Sequence, residues 1–191
     1  MNCCKVNITK EMREAVIQRH LRVGDTFNGA YHEGGKGRIW GYLGEAIVME
    51  ALGDKAIIVD NKDCDIIFVN RPENKDIELT AKVDVKTKTR KDEPKEFFDA
   101  MILDSSRHQQ ADVYIFTNII APQNLKDKSI EEILNYEYTT GYRVGLITKD
   151  DYYKKATFNK KGERSNNFLW KEDAWTLRYG DLKPFRPGIA I

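Results

Sequence analysis

The sequence predicts an α/β fold, a central mixed sheet of four to five strands flanked by helices, and three stretches carry that expectation. Residues 78–90 (ELTAKVDVKTKTR) alternate apolar and polar side chains with period 2, the pattern of a half-buried strand. Residues 39–52 (IWGYLGEAIVMEAL) are apolar nearly all round, as in a helix buried inside a protein. Residues 113–120 (VYIFTNII) form the continuous apolar run of a strand covered on both faces. At 191 residues the chain fits one domain over 1–191, with a core at about 39–120 and a C-terminal extension at about 121–191. It contains neither an internal repeat nor a dividing linker.

Taken in order, Cys3 and Cys4 read as a frayed end. Thr9 is the N-cap of a first helix running to about Arg22, with Met12, Val16, Ile17 and Leu21 at helical spacing and Gly24 at its end. Residues 24–38 hold five glycines without periodicity. They read as a loop, either a plain linker or a lid whose glycines let backbone approach a phosphate. They lack the order of a P-loop. The buried helix over 39–52 follows and is stopped by Gly53. Its Glu45 has Val48, Met49 and Leu52 as neighbours at i+3, i+4 and i+7, so its carboxylate requires a partner or a cation. Glu50 lies elsewhere around the helix and reads as solvated.

Residues 56–59 and 64–69 form a hairpin around the turn 60–63, with Asp65 just before the second strand's apolar run. Asp60 and Asp63 belong to the turn, because the glycine and terminal glutamate of a calcium loop are missing. A turn at 71–75 leads into the strand 78–90, whose Leu79, Ala81, Val83 and Val85 face the core. Thr80, Lys82, Asp84, Lys86, Lys88 and Arg90 face the other way. Beyond it come a polar loop at 91–95, a helical turn within 97–103, and a short helix at 105–110. Strands at 113–120 and 142–148, a helix at 150–155, a polar basic stretch at 156–167 and a strand at 175–179 complete the chain.

Composition excludes several classes of function. With 31 basic and 30 acidic residues the net charge is +1, so a nucleic-acid surface has to be local rather than global. No apolar run reaches the ~18 residues of a membrane span, and the N-terminus has no signal-peptide core. Three cysteines without CxxC spacing and three scattered histidines argue against zinc and against a disulfide framework. The expected setting is the cytoplasm of a prokaryotic or phage-infected cell.

The chemistry concentrates in Glu45, Asp65 and Asp84-Val85-Lys86. Side chains at i and i+2 of a strand project to one side, roughly 6.5–7 Å apart, so one metal-bound phosphate can touch both Asp84 and Lys86. Carboxylates converging on Mg²⁺, or on Mn²⁺ as its substitute, neutralise a phosphodiester, activate water and stabilise the leaving alkoxide. A lysine beside the metal orients or deprotonates the attacking water. Lys88 and Arg90 continue the charged face toward a DNA backbone. Gln110, with Gln109, is placed to touch a water or a phosphate, and Lys160 and Lys161, with Arg164, form a local basic patch.

A helix Glu, a strand Asp and an Asp-x-Lys in this order resemble the PD-(D/E)xK nuclease superfamily. The resemblance implies a restriction-endonuclease-like core: a helix, three antiparallel strands, a crossing helix and a further strand, from about Trp40 to Ile120. It implies that Asp65 and Asp84 are metal-binding acids, Lys86 the catalytic lysine and Glu45 a helix glutamate able to serve a metal, with the Val85 carbonyl joining the shell. Cys64 stands where the name-giving proline would be, and Asp84 replaces the commoner Glu. Gln110 to Tyr114 has the QxxxY spacing of some exonuclease branches, although Tyr114 falls in a strand. The function so implied is a Mg²⁺-dependent DNA nuclease, read as an endonuclease with exonuclease action left open, working as a homodimer or as a small phage or mobile-element enzyme. The alternative is a nuclease-fold module that binds DNA or protein without cutting.

Overall fold

A computed structural model describes residues 3–23, 35–59, 61, 63–70, 79–165 and 168–186. Strand β1 (Cys4–Asn7) precedes helix α1 (Lys10–Val23), which starts where the Thr9 hydroxyl accepts the N–H of Met12 at 3.3 Å. Helix α2 (Lys36–Leu52) ends at Gly53, whose φ of 57° suits glycine and whose N–H reaches the Met49 carbonyl. Strands β2 (Ala56–Ile58), β3 (Ile66–Asn70) and β4 (Leu79–Arg90) follow, then β5 (Asp99–Leu103) and β6 (Val113–Ile120). The chain continues through α3 (Ile130–Leu134), β7 (Thr140–Thr148) and α4 (Lys149–Lys155). It closes with β8 (Thr157–Asn159), β9 (Arg164–Ser165), β10 (Phe168–Leu169) and β11 (Ala174–Arg178).

The main sheet is mixed and six-stranded, in the order β1-β7-β6-β4-β3-β2, with β4 and β6 parallel and the other neighbours antiparallel. A three-stranded antiparallel sheet, β5-β11-β8, forms a second layer. The period-2 alternation of β4 decides which layer each face meets. Val83 and Val85 pack with Val113 and Ile115 of β6 and with Val48 and Leu52 of α2. On the opposite face, Tyr114 and Phe116 of β6 pack with Ala100 and Ile102 of β5 and Leu177 of β11. Helix α2 lies very close to the sheet at Gly44. A Cβ there would meet the Thr87 hydroxyl oxygen at 1.9 Å, so this contact admits no larger residue without displacement.

Several expectations are corrected. Cys3 and Cys4 do not form a frayed end: β1 pairs with β7, and Val6 is buried. Residues 36–38, expected in the glycine-rich loop, form the first turn of α2; residues 24–34 and the turn at 71–75 lie outside the described residues. Residues 99–103 are a strand rather than a helical turn, because Ala100 and Ile102 alternate inward and pair with β11. The expected helix at 105–110 reduces to a 3₁₀ turn over Asp104–Ser106. The passage from β4 to β6 therefore carries β5 and that turn, not a crossing helix. The stretch 156–167 contains β8 and β9. Helix α3 was not foreseen, although Ser129 and Glu132 form a full capping box at its start. No helix among the described residues is long and apolar enough to cross a membrane.

Candidate active site

Asp65 sits where β3 is about to begin, and the backbone leaves it little freedom. The side chain of Asn61 accepts the N–H groups of Asp63 and Cys64, curling the chain into the strand. The Asp65 N–H then donates to the Val83 carbonyl at 2.9 Å, and its own carbonyl accepts from Val59 at 2.8 Å. Its carboxylate Oδ2 accepts the Val85 N–H at 2.7 Å. Ile66 pairs with Val83 across the ladder, and Asp65, just before it, brings its carboxyl up to that of Asp84.

Asp84 is 2 % exposed, and its Oδ2 is 2.7 Å from Lys86 Nζ. That contact is ionic: the same buried oxygen has no directed hydrogen bond. Lys86 Nζ also donates to Gln109 Oε1 at 3.2 Å. Asp65 and Asp84 lie within hydrogen-bonding reach of each other. The Asp65 carboxyl is held well above the usual carboxylate range, first by burial, then by the charges of Asp84 and Glu45, with Lys86 opposing. Tyr114, opposite Asp84 on β6, has its phenol pushed up chiefly by burial, with Asp84 contributing.

Glu45 reaches this site from α2 with its charge already balanced. Arg19 of α1 contacts its carboxylate, and the guanidinium lies 4.0 Å from the centre of the Tyr42 ring. No sequence spacing connects Arg19 with Glu45, since the partnership arises from packing of α1 on α2. Glu50 is not merely solvated, as expected. Its carboxylate contacts Arg143 of β7, which is 5 % exposed.

A strand residue directs its N–H and C=O toward the same neighbour. The Val85 N–H is given to Asp65, so the Val85 carbonyl also lies on the Asp65 side. Asp65, Asp84 and that carbonyl are the donors suited to a hard cation. A buried carboxylate oxygen and, beside it, a second acid whose carboxyl is held above the usual range fit a divalent ion. Among the described residues no three His, Cys, Asp or Glu side chains form a ready metal group. Magnesium, however, commonly takes one or two carboxylates and leaves its other positions to water and phosphate.

The remaining candidates are dispersed. Lys88 lines a cleft beyond Lys86. Arg90 lies 4.2 Å from the centre of the Phe98 ring and 5.9 Å from that of Tyr179, rather than on an open face. Gln110 is exposed and accepts from Lys82 Nζ at 3.2 Å, whereas Gln109 is the glutamine that meets Lys86. Lys160 and Lys161 occupy the turn after β8, at the edge of the second sheet. There the Lys160 N–H approaches Glu163 and the Lys161 ammonium pairs with Glu172 at 3.7 Å. Comparison with protein-family models, curated proteins and solved structures finds no match to this chain.

Proposed function

We propose that this chain is a Mg²⁺-dependent DNA nuclease whose core departs from the restriction-endonuclease-like pattern in its β4–β6 crossover, hydrolysing phosphodiester bonds by attack of water without a covalent intermediate. The observation that carries the reading is the pair of neighbouring acids, Asp65 and the buried Asp84, with Lys86 Nζ 2.7 Å from Asp84. Such a pair is unfavourable by itself, because two carboxylates cannot both ionise cheaply in a poorly solvated space. It becomes favourable around a divalent cation, and Asp65, Asp84 and the Val85 carbonyl would hold that ion. When bound, Mg²⁺ or Mn²⁺ supplies Lewis acidity, neutralising phosphate charge and making water more acidic.

The protein's own groups supply the rest. The Lys86 ammonium, anchored between Asp84 and Gln109, is placed to orient water against the phosphorus and to share the charge that develops on the phosphate. Glu45, neutralised by Arg19, adds negative potential at Asp65 without being needed as a ligand. The Asp65 backbone is hydrogen-bonded on both sides, so its carboxylate keeps its position while its charge changes.

The test is incubation of purified protein with supercoiled, linear and single-stranded DNA in Mg²⁺ or Mn²⁺, beside a Lys86→Ala control. Metal-dependent cutting that disappears in the variant supports the proposal, and the form of DNA preferred separates endonuclease from exonuclease action. A metal-dependent thermal shift without cutting favours a silent binding module. If no DNA is cut and Mg²⁺ gives no thermal shift, the assignment is overturned.

A further inference from the structure

Beyond Lys86 the β4 strand loses one neighbour. Its pairing with β3 ends at Val83, and past the Asp65 carboxylate no strand lies on that side of residues 86–90 among the described residues. The backbones of even-numbered residues face β6, since the Lys82 and Arg90 carbonyls accept there from Asp112 and Ala121. The N–H and C=O groups of Thr87 and Thr89 consequently face the open side. A cleft of about 380 Å³ occupies this space, bounded by β4, the first turns of α2 and β5.

The cleft's walls have distinct chemistry. Trp40 is held in place by the 2.8 Å hydrogen bond from its indole N–H to the Tyr138 hydroxyl, which leaves a ring of fixed orientation along the wall. Met101 and Leu103 line the β5 side, while Lys86 and Lys88 reach in from β4. The one carboxylate on the wall, Asp99, is shared with Arg178 at 3.9 Å. The N-terminus of helix α2 lies at the rim and adds partial positive charge. A fixed aromatic platform, a free strand edge and a lysine beside a phosphodiester site are the groups that recognise an unpaired nucleotide. The volume is on the scale of one small ligand, not of a duplex.

Resting on the nuclease reading, we propose that this cleft receives an unpaired nucleotide of the substrate strand next to the scissile phosphate. Its base lies against Trp40 and the Thr87–Thr89 edge, and its phosphate lies at Lys88. The enzyme therefore acts on single-stranded or locally melted DNA in preference to a closed duplex.

Binding of a labelled single-stranded oligonucleotide and of a closed duplex of matching composition, measured by anisotropy in EDTA, tests this without any cutting. The single strand is expected to bind about tenfold tighter, and Lys88→Met to weaken that binding about tenfold. The variant's melting temperature should stay at or above that of the wild type, because an enclosed charge has been removed. Tryptophan emission should be quenched by the single strand in the wild type and much less so in Trp40→Phe. Equal affinity for the two forms, or a folded Lys88→Met that binds the single strand unchanged, overturns the proposal. Lys88-dependent single-strand binding without Mg²⁺-dependent cutting would retain the cleft and remove the nuclease reading. Lys86-dependent cutting with no strand preference and no Lys88 effect would do the reverse.

Discussion

Two pairs of acids adjoin the same sheet, and they differ in what faces them. Glu45 and Glu50 leave α2 toward Arg19 and Arg143, so each carboxylate contacts a guanidinium from another element. Asp65 and Asp84 lie beside one another at the start of β3, with the Lys86 ammonium close to Asp84 and only opposing the rise at Asp65. Each set has one buried acid, Glu45 in the first and Asp84 in the second, but only in the first does each acid meet a guanidinium. The first set joins helices to the sheet. The second stores unfavourable electrostatic energy, which a bound cation would relieve. Position in the fold explains the contrast: α2 is flanked by α1 and β7, both able to send an arginine, whereas Asp65 lies just before β3 begins, where β4 loses a neighbour.

The sharpest test of this contrast is activity. Lys86→Ala should lower metal-dependent cleavage by about 10²–10⁴-fold, the usual contribution of a positioned proton-transfer group, and should lower the urea midpoint as well, because the buried Asp84 loses the ammonium beside it. Glu50→Ala should lower the midpoint and leave cleavage intact. It leaves Arg143 enclosed without its carboxylate and should cost about 2–3 kcal/mol, less than for a fully buried pair because Glu50 is half exposed. Urea unfolding at unchanged m-value would measure the loss, and any thermal shift with Mg²⁺ should survive. A neutral midpoint would mean that the α2 pairs are no more structural than surface ion pairs.

Asp65→Asn should reverse the sign of the stability change. The amide oxygen can still accept the Val85 N–H, and the repulsion from Asp84 and Glu45 disappears. Stability in EDTA at neutral pH should rise by about 1–2 kcal/mol. The rise in melting temperature that Mg²⁺ gives the wild type by binding the folded state should be lost. A variant less stable than wild type in EDTA would show that Asp65 is compensated like Glu45, and the contrast between the two sets would fail.

The strands around this site were legible in the sequence because their patterns are local. The alternation of β4, the apolar run of β6 and the position of Asp65 before Ile66 read directly, and Asp84 with Lys86 follow from period 2. What could not be read depends on distant contacts. Arg19 meets Glu45 only because α1 lies on α2, and Arg143 meets Glu50 only because β7 passes beneath. β5 was misread because the alternation of Ala100 and Ile102 spans too few residues to stand out from a helical turn, and only pairing with β11 decides it. The charged face of β4 differs from a solvated strand face because a second sheet, β5-β11-β8, lies on that side of the molecule, an arrangement that no local pattern announces. Gln109 and Gln110 could not be told apart in the sequence, since neighbouring residues leaving a 3₁₀ turn meet different lysines, Lys86 and Lys82.

Lys88 supplies the smallest expected effect and a complement to the acid pair, as a cation rather than an anion in a poorly solvated place. Burial, reinforced by Arg90 and opposed by Asp99, pulls its ammonium down from 10.5 to about 8. Below pH 8 both folded and unfolded chains hold the proton, and the folded state bears the full cost of enclosing the charge. Between pH 8 and 10.5 the unfolded chain keeps a proton that the folded chain has released, so this group makes stability rise with pH. Above 10.5 the cost is gone. Lys88→Met should therefore stabilise the protein by about 1 kcal/mol near pH 7, with the advantage shrinking through pH 8–10. Paired urea titrations of wild type and variant at pH 7 and pH 9.5 measure that difference. A constant difference would mean that the methionine gains by packing alone. A difference that shrinks with pH would identify a cation held at a folding cost beside the proposed phosphate site, as Asp65 and Asp84 are held at a cost beside the proposed metal.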